Sequence, residues 1–250
     1  MTETTPQHNA NPEGIAPLVN IAIAENAMAR AQGRAMHLPG LVVMCGPSGY
    51  GKSVAAAWVK RHSKAYYVQA NEHWTKKEMM KDLNRALGLQ FKPSATIADM
   101  ARAVQAQLEQ SGRPLIIDEF DYVTDKNMVM SILSIYEGSR AAILLIGEEN
   151  LPFKLKEWEK FHGRILDWFY AEPCRLPDAR ELARLYCTHI EVADDLLELL
   201  VEKTKGSTRR VSTNLEKVHE TALGLGWEKV DLSLWGNRPI QTGEPPRRGA

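Results

Sequence analysis

Apolar residues collect in five short runs, each followed by a longer stretch whose apolar positions recur every three or four residues. The runs are Leu41–Cys45, Ala65–Ala70, Leu115–Asp118, Ala142–Ile146 and Ile165–Tyr170. The unbroken run Leu41–Cys45 fits a strand buried on both faces, and the other four are strand candidates. The intervening periodicity predicts helices over Lys52–His62, Lys76–Leu87, Ile97–Gln110, Asn127–Ser139 and Leu155–Phe161. An Ala-rich amphipathic helix over Ile15–Met36 precedes the first strand and is stopped by Pro39-Gly40. Such alternation implies a five-stranded parallel sheet with helices on both faces and right-handed crossovers.

After Pro173 the pattern changes. Asp178–His189, Ala193–Lys203 and Thr208–Leu223 read as helices with no strand between them. The expected organisation is a disordered segment over 1–14, an α/β core over 15–173, an all-helical lid over 174–234 and a flexible tail over 235–250.

Composition adds limits. At 250 residues with 44% hydrophobic and 25% charged residues, the chain can bury a core without disulfides. Three cysteines without paired spacing favour a reducing compartment, and Cys45, inside an apolar run, reads as a small core residue. Neither the cysteines nor the histidines show metal-ligand spacing. No apolar run approaches the roughly 20 residues that span a bilayer, and the N-terminus has no signal-peptide core. A soluble cytoplasmic protein is expected. Formal net charge is zero, so bulk charge gives no argument for nucleic acid. The distribution is uneven, however: residues 60–92 carry eight Lys/Arg against three Asp/Glu. Such a segment is a basic binding face, one of two complementary faces between neighbouring subunits, or scattered solvated surface.

Gly46-Pro47-Ser48-Gly49-Tyr50-Gly51-Lys52-Ser53 fits GxxxxGK[ST] and lies between a buried strand and a helix. Glycines let the backbone wrap close to phosphates with its N–H groups turned inward, and the helix start adds its positive dipole end. Lys52 reaches the β and γ phosphates of ATP, and the Ser53 hydroxyl suits Mg2+, which prefers oxygen ligands. Leu115-Ile116-Ile117-Asp118-Glu119 supplies the second half of the site. A strand ending in two carboxylates presents them at the carboxyl edge of a parallel sheet, where ligands bind in open α/β folds. Asp118 would hold Mg2+ through water, and Glu119 would orient and polarise the attacking water. Asp121 reads as a helix-cap or turn residue. The expected activity is ATP hydrolysis to ADP and phosphate.

With these motifs, five strands and a helical lid, the chain resembles the AAA+ superfamily. Within it, the stretch from Gly46 to about Leu223 resembles the ATPases of DNA transposition, the phage Mu B protein and related target selectors. The likeness is carried by GPSGYGKS, PLIIDEFD, LLIGEEN, FHGRI and GSTRRV. It implies an arginine finger at Arg164, inserted into the neighbouring subunit's site; the alternative is a surface arginine paired with Glu159 or Asp167. It implies a γ-phosphate sensor at Arg209, with Arg210 as the neighbouring alternative. A first sensor would fall at Glu148 or Asn150, and neither matches the family pattern well. The Mu B protein has an N-terminal helix-turn-helix domain; about 40 residues precede the first strand here, too few for one.

The resemblance further implies a homo-oligomer, ring or helical filament, that wraps double-stranded DNA non-specifically and delivers it to a transposase. Lys76, Lys77 and Lys81 are the candidate DNA-contacting residues, since they share a predicted helix, with Lys77, Lys81 and Arg85 on one face. Of the six tryptophans, Trp74 is the one to test for a role in stacking on a base. Two other readings remain open: a helicase loader or replication initiator of the same superfamily, and a nucleotide-dependent scaffold without nucleic acid.

Overall fold

The computed structural model describes residues 16–125 and 128–244. The segment expected to be disordered, 1–14, lies outside them, as do Ile15, Asn127 and the last six residues of the expected tail. The described chain divides into two compact units, one of residues 19–172 and one that joins residues 173–244 to those just before Val19.

The first unit holds the sheet. Its strands are β1 (Leu41–Cys45), β2 (Tyr66–Gln69), β3 (Leu115–Asp118), β4 (Ile143–Gly147) and β5 (Ile165–Tyr170), in spatial order β2-β3-β4-β1-β5. All pairings within this sheet are parallel. Every residue of β1, β3 and β4 is buried, as central strands covered on both faces require. The helices are α1 (Val19–Gln32), α2 (Lys52–His62), α3 (Lys76–Ala86), α4 (Ile97–Ser111), α5 (Asp121–Asp125), α6 (Val129–Ser139), α7 (Leu151–Lys156) and α8 (Glu159–His162). A continuous core runs from Leu41, Val43 and Cys45 through Ile117 and Leu145 to Leu83, Val104 and Ile132.

Some boundaries differ from expectation for identifiable reasons. The first helix begins at Val19, past Pro17, which keeps Ala16 out of helical backbone. The helix expected over Leu155–Phe161 is two. Pro152 opens α7 in its first turn, where a missing N–H costs nothing, and Trp158 breaks the run at φ −108°, ψ 69°. Trp74 is a correction: it is 3% exposed, and its indole Nε1–H donates to Asp82 at 2.8 Å, so no base can stack on it.

The second unit is built on α9 (Leu176–Tyr186), α10 (Asp194–Lys203) and α11 (Thr208–Leu225), packed through Leu182, Leu197, Leu200, Val211, Leu215 and Val218. The structure adds three short elements to this unit, expected to be all-helical. Strands β6 (Glu191–Val192) and β7 (Lys229–Val230) pair in parallel over two residues, too short to leave a sequence pattern. Helix α12 (Leu232–Trp235) is capped by the Asp231 side chain, which accepts from the Leu234 amide at 2.7 Å. Trp235, which the sequence places at the start of a flexible tail, is 1% exposed inside this unit's core.

Replacing Trp235 with Ala is therefore expected to cost about 3–5 kcal/mol, the range for emptying a buried aromatic site. Urea unfolding followed by far-ultraviolet circular dichroism measures it; a change below about 0.5 kcal/mol, typical of an exposed position, would contradict the burial.

Candidate functional site

Parallel pairing brings the two motifs to one edge. Strands β1 and β3 both pair with β4, so the loop after β1 and the carboxylates after β3 flank the β4 tip. Cys45 lies opposite Gly147, and Gln69 on β2 lies opposite Asp118. This is the carboxyl edge of the sheet, the usual ligand-binding edge of such folds.

The loop Gly46–Gly51 turns back on itself before α2 opens at Lys52. Gly49 and Gly51 stand at φ 85° and 83°, a left-handed conformation that residues with a Cβ adopt at a cost. The Lys52 ammonium donates to the Gly46 and Pro47 carbonyl oxygens at 2.7 and 3.0 Å, which folds the side chain along the loop. Burial lowers the Lys52 pKa, and the carboxylates of Glu119, Asp118, Glu148 and Asp121 act against that shift. Lys52 thus senses both motifs and the β4 tip electrostatically. Cys45 is buried beside it, and burial pushes its thiol up to about 11, leaving it a protonated core residue.

Asp118 is 1% exposed and doubly held. Its Oδ1 accepts from the Glu119 amide at 2.9 Å, and its Oδ2 accepts from the Tyr67 hydroxyl at 3.0 Å. The backbone on either side is tied to both neighbours, Ala70 N–H to Asp118 O at 2.9 Å and Phe120 N–H to Ile146 O at 2.8 Å. Glu119 is half-buried with φ 54°, a left-handed conformation costing about 1–3 kcal/mol in a residue that has a Cβ. Burial, then the Asp118 carboxylate, raises its pKa above the ordinary carboxylate value. A carboxylate of raised basicity on a strained, clamped turn is suited to accept a proton from water.

Three residues that sequence reasoning missed shape this edge. Tyr67 is one. Asp121, read as a cap or turn residue, does open α5. It is also buried, accepts from the Glu148 amide at 2.7 Å and pairs with Lys154 at 3.2 Å, fixing the β4 tip. Asn20 of α1 is 3% exposed; its amide donates to Tyr50 O at 2.7 Å and Glu172 O at 2.8 Å, and its Oδ1 accepts from Glu172 N at 2.8 Å. One side chain so joins the phosphate loop to the end of the β5 segment.

The other sequence-selected residues lie elsewhere. Arg164 is exposed at the amino end of β5, where its carbonyl accepts from Leu41 N, and it pairs with Glu137 at 3.1 Å instead of Glu159 or Asp167. Leu41 and Cys45 are the two ends of β1, about 13 Å apart at the rise of a strand, which separates Arg164 from the phosphate loop of its own chain. Arg209 and Arg210 are exposed in the first turn of α11 in the second unit. Glu148 and Asn150 are both exposed after β4, and Asn150 precedes α7 without capping it. Lys76 and Lys77 are exposed on α3, whereas Lys81 pairs with Glu78 and Arg85 with Asp82, both at 2.8 Å, so part of that face neutralises itself.

The donor set fits a metal–triphosphate pair. Positive-φ glycines shape the loop, a half-buried ammonium and a helix start face it, and Ser53 and Asp118 offer oxygen donors. Among the described residues no cluster of three His, Cys, Asp or Glu side chains is placed to hold a metal alone.

With this geometry the comparisons agree. The family model of the AAA domain matches residues 35–155, and the protein carries an AAA-type P-loop ATPase domain. No curated protein sequence matches the chain. Among solved structures, the Aeropyrum pernix ORC2 protein, in ADPNP and ADP complexes, superposes with a TM-score of 0.67 at 19% identity, over 91% of this chain and 69% of its own. Cdc6p from Pyrobaculum aerophilum gives 0.65 at 13%, over 91% and 68%. The Aeropyrum pernix ORC1 protein in complex with DNA gives 0.64 at 16%, over 88% and 65%. At these identities the likeness is one of fold, and the chain spans about two thirds of those proteins' length.

Replacing Asn20 with Ala removes three hydrogen bonds at a buried site. It is expected to lower stability by about 1–3 kcal/mol per polar group left unpaired, and to weaken ATP binding through the freed Tyr50 loop. Urea unfolding and nucleotide titration check both effects; unchanged ATP affinity at reduced stability would deny Asn20 its part in shaping the loop.

Proposed function

We propose that this protein is a Mg2+-dependent ATPase that binds duplex DNA under control of its nucleotide state, as a replication initiator or helicase loader. The observation that carries this reading is the meeting of the Gly46–Ser53 loop with Asp118 and Glu119 at one sheet edge. The second support is a fold shared, over about nine tenths of the chain, with the archaeal initiator-type proteins. One such structure is a complex with nucleotides and another a complex with DNA.

In this reading the loop amides and Lys52 grip the triphosphate, and Ser53 and Asp118 hold the cation on its oxygen side. When bound, Mg2+ neutralises charge on the phosphates. Glu119 orients and deprotonates the attacking water. Arg164, remote from its own loop, completes the site of a neighbouring subunit, so ATP joins subunits and hydrolysis releases them. Arg209 is the proposed γ-phosphate sensor. Lys76 and Lys77 give the DNA backbone its contacts, with Lys81 contributing less because Glu78 shares its charge. The likeness to initiators favours this class over a target selector serving a transposase, which rests on motif resemblance alone. Among the described residues no helix is long and apolar enough to cross a membrane.

Substituting Glu119→Gln should cut ATP hydrolysis by about 10²-fold or more while leaving ATP binding intact. The variant should then remain on duplex DNA after ATP is added, where the native protein dissociates; gel shift at low salt follows it. Absence of ATP-dependent DNA binding in both proteins would overturn the DNA role, and undiminished hydrolysis would overturn the assignment of Glu119.

A further inference from the structure

We infer that Tyr67 is a positioning residue for the ATPase site, its hydroxyl holding the Asp118 carboxylate in the orientation that receives the metal. The inference rests on the reading of Asp118 as the metal-side carboxylate.

Strand alternation explains how Tyr67 comes to be there. Tyr66 and Val68 face the main core, and Tyr66 turns its hydroxyl to Gln107 at 2.9 Å. Tyr67 and Gln69 take the opposite face of β2. On that face the Lys60 ammonium of α2 lies 5.4 Å from the Tyr67 ring centroid, within reach of a cation–π attraction. The register of β2 against β3 sets Tyr67 opposite Ile116 and Gln69 opposite Asp118. A tyrosine side chain is long enough to cover that two-residue offset, and its hydroxyl ends 3.0 Å from Asp118 Oδ2. A phenol is protonated at neutral pH and so donates this bond.

The geometry defines what the bond does. The terminal torsion of an Asp side chain is broad, so a free carboxylate samples a range of planes. Here each oxygen accepts one hydrogen bond from a different element, Oδ1 from the Glu119 amide and Oδ2 from β2. Two fixed donors set the plane. Each oxygen keeps a second lone pair for a metal-bound water. Supporting hydrogen bonds of this kind are worth about 10- to 100-fold in metal affinity at sites where they have been removed.

Removing only the hydroxyl, by Tyr67→Phe, isolates the effect. A fluorescent ATP analogue is titrated in EDTA and then at graded Mg2+, alongside Tyr66→Phe and Asp118→Asn. The expected result for Tyr67→Phe is a Mg2+ midpoint raised about 10-fold, with metal-free nucleotide affinity and melting temperature unchanged. Tyr66→Phe, which alters the other face of the same strand, should leave the midpoint in place. Should Asp118→Asn shift the midpoint and Tyr67→Phe not, the role of Tyr67 is overturned while the metal-side reading of Asp118 stands. Should Asp118→Asn leave it unmoved, that reading fails and the role of Tyr67 with it. A Tyr67→Phe protein that melts earlier but responds to Mg2+ normally would mark the hydroxyl as merely structural.

Discussion

Strand β4 is the constraint on which the site depends. It pairs with β1 on one side and β3 on the other, so its hydrogen bonds set the separation and the relative height of the phosphate loop and the Asp118–Glu119 turn. A slip of one residue in either pairing would turn alternate side chains to the opposite face and draw Asp118 away from the edge. Complete burial of β1, β3 and β4 penalises such a slip, because it would disrupt a close-packed interior. The apolar strands, which carry no chemistry, therefore fix the geometry of the polar groups that do.

On that frame the polar groups are held in tension. Lys52 is drawn out of water by burial yet surrounded by the carboxylates of Glu119, Asp118, Glu148 and Asp121. Glu119 occupies a left-handed backbone conformation and a half-buried place beside another carboxylate, both unfavourable for the isolated chain. Strain of this sort persists where surrounding bonds over-determine it, and the amides of Ala70 and Phe120 clamp the turn from both sides. A bound divalent cation would offset the crowding of carboxylates, and phosphates would give Lys52 anionic partners in place of the Gly46 and Pro47 carbonyls, so ligand binding and site organisation favour each other. Asp121 and Lys154 carry the same ordering to the β4 tip.

Much of this was legible in the residues. The phosphate loop and the Asp118–Glu119 pair are contiguous, and their flanking strands are unbroken apolar runs, so local pattern was sufficient for β1, β3 and α2. What was not legible depends on residues far apart in sequence. Tyr67 lies 51 positions from Asp118, and Asn20 lies 152 from Glu172. Neither has a local signature, because a tyrosine in a strand and an asparagine in an Ala-rich helix are ordinary. Trp74 misled for the converse reason: it lies between the predicted strand Ala65–Ala70 and the predicted helix Lys76–Leu87, and the core contact that buries it comes from packing. Trp235 misled in the same way, since nearby Pro and Gly look like a tail although one indole is enough to anchor that stretch.

The account stands or falls on Lys52 and Asp118 serving one metal–nucleotide complex. A crystal structure with Mn2+ and a non-hydrolysable ATP analogue tests it directly, the manganese being located by anomalous scattering. One manganese peak is predicted at the Ser53 hydroxyl and the nucleotide phosphates, linked through water to Asp118, with the Lys52 ammonium turned from the Gly46 and Pro47 carbonyls onto the phosphates. Manganese bound away from both residues, or a nucleotide seated at another edge of the sheet, would contradict it.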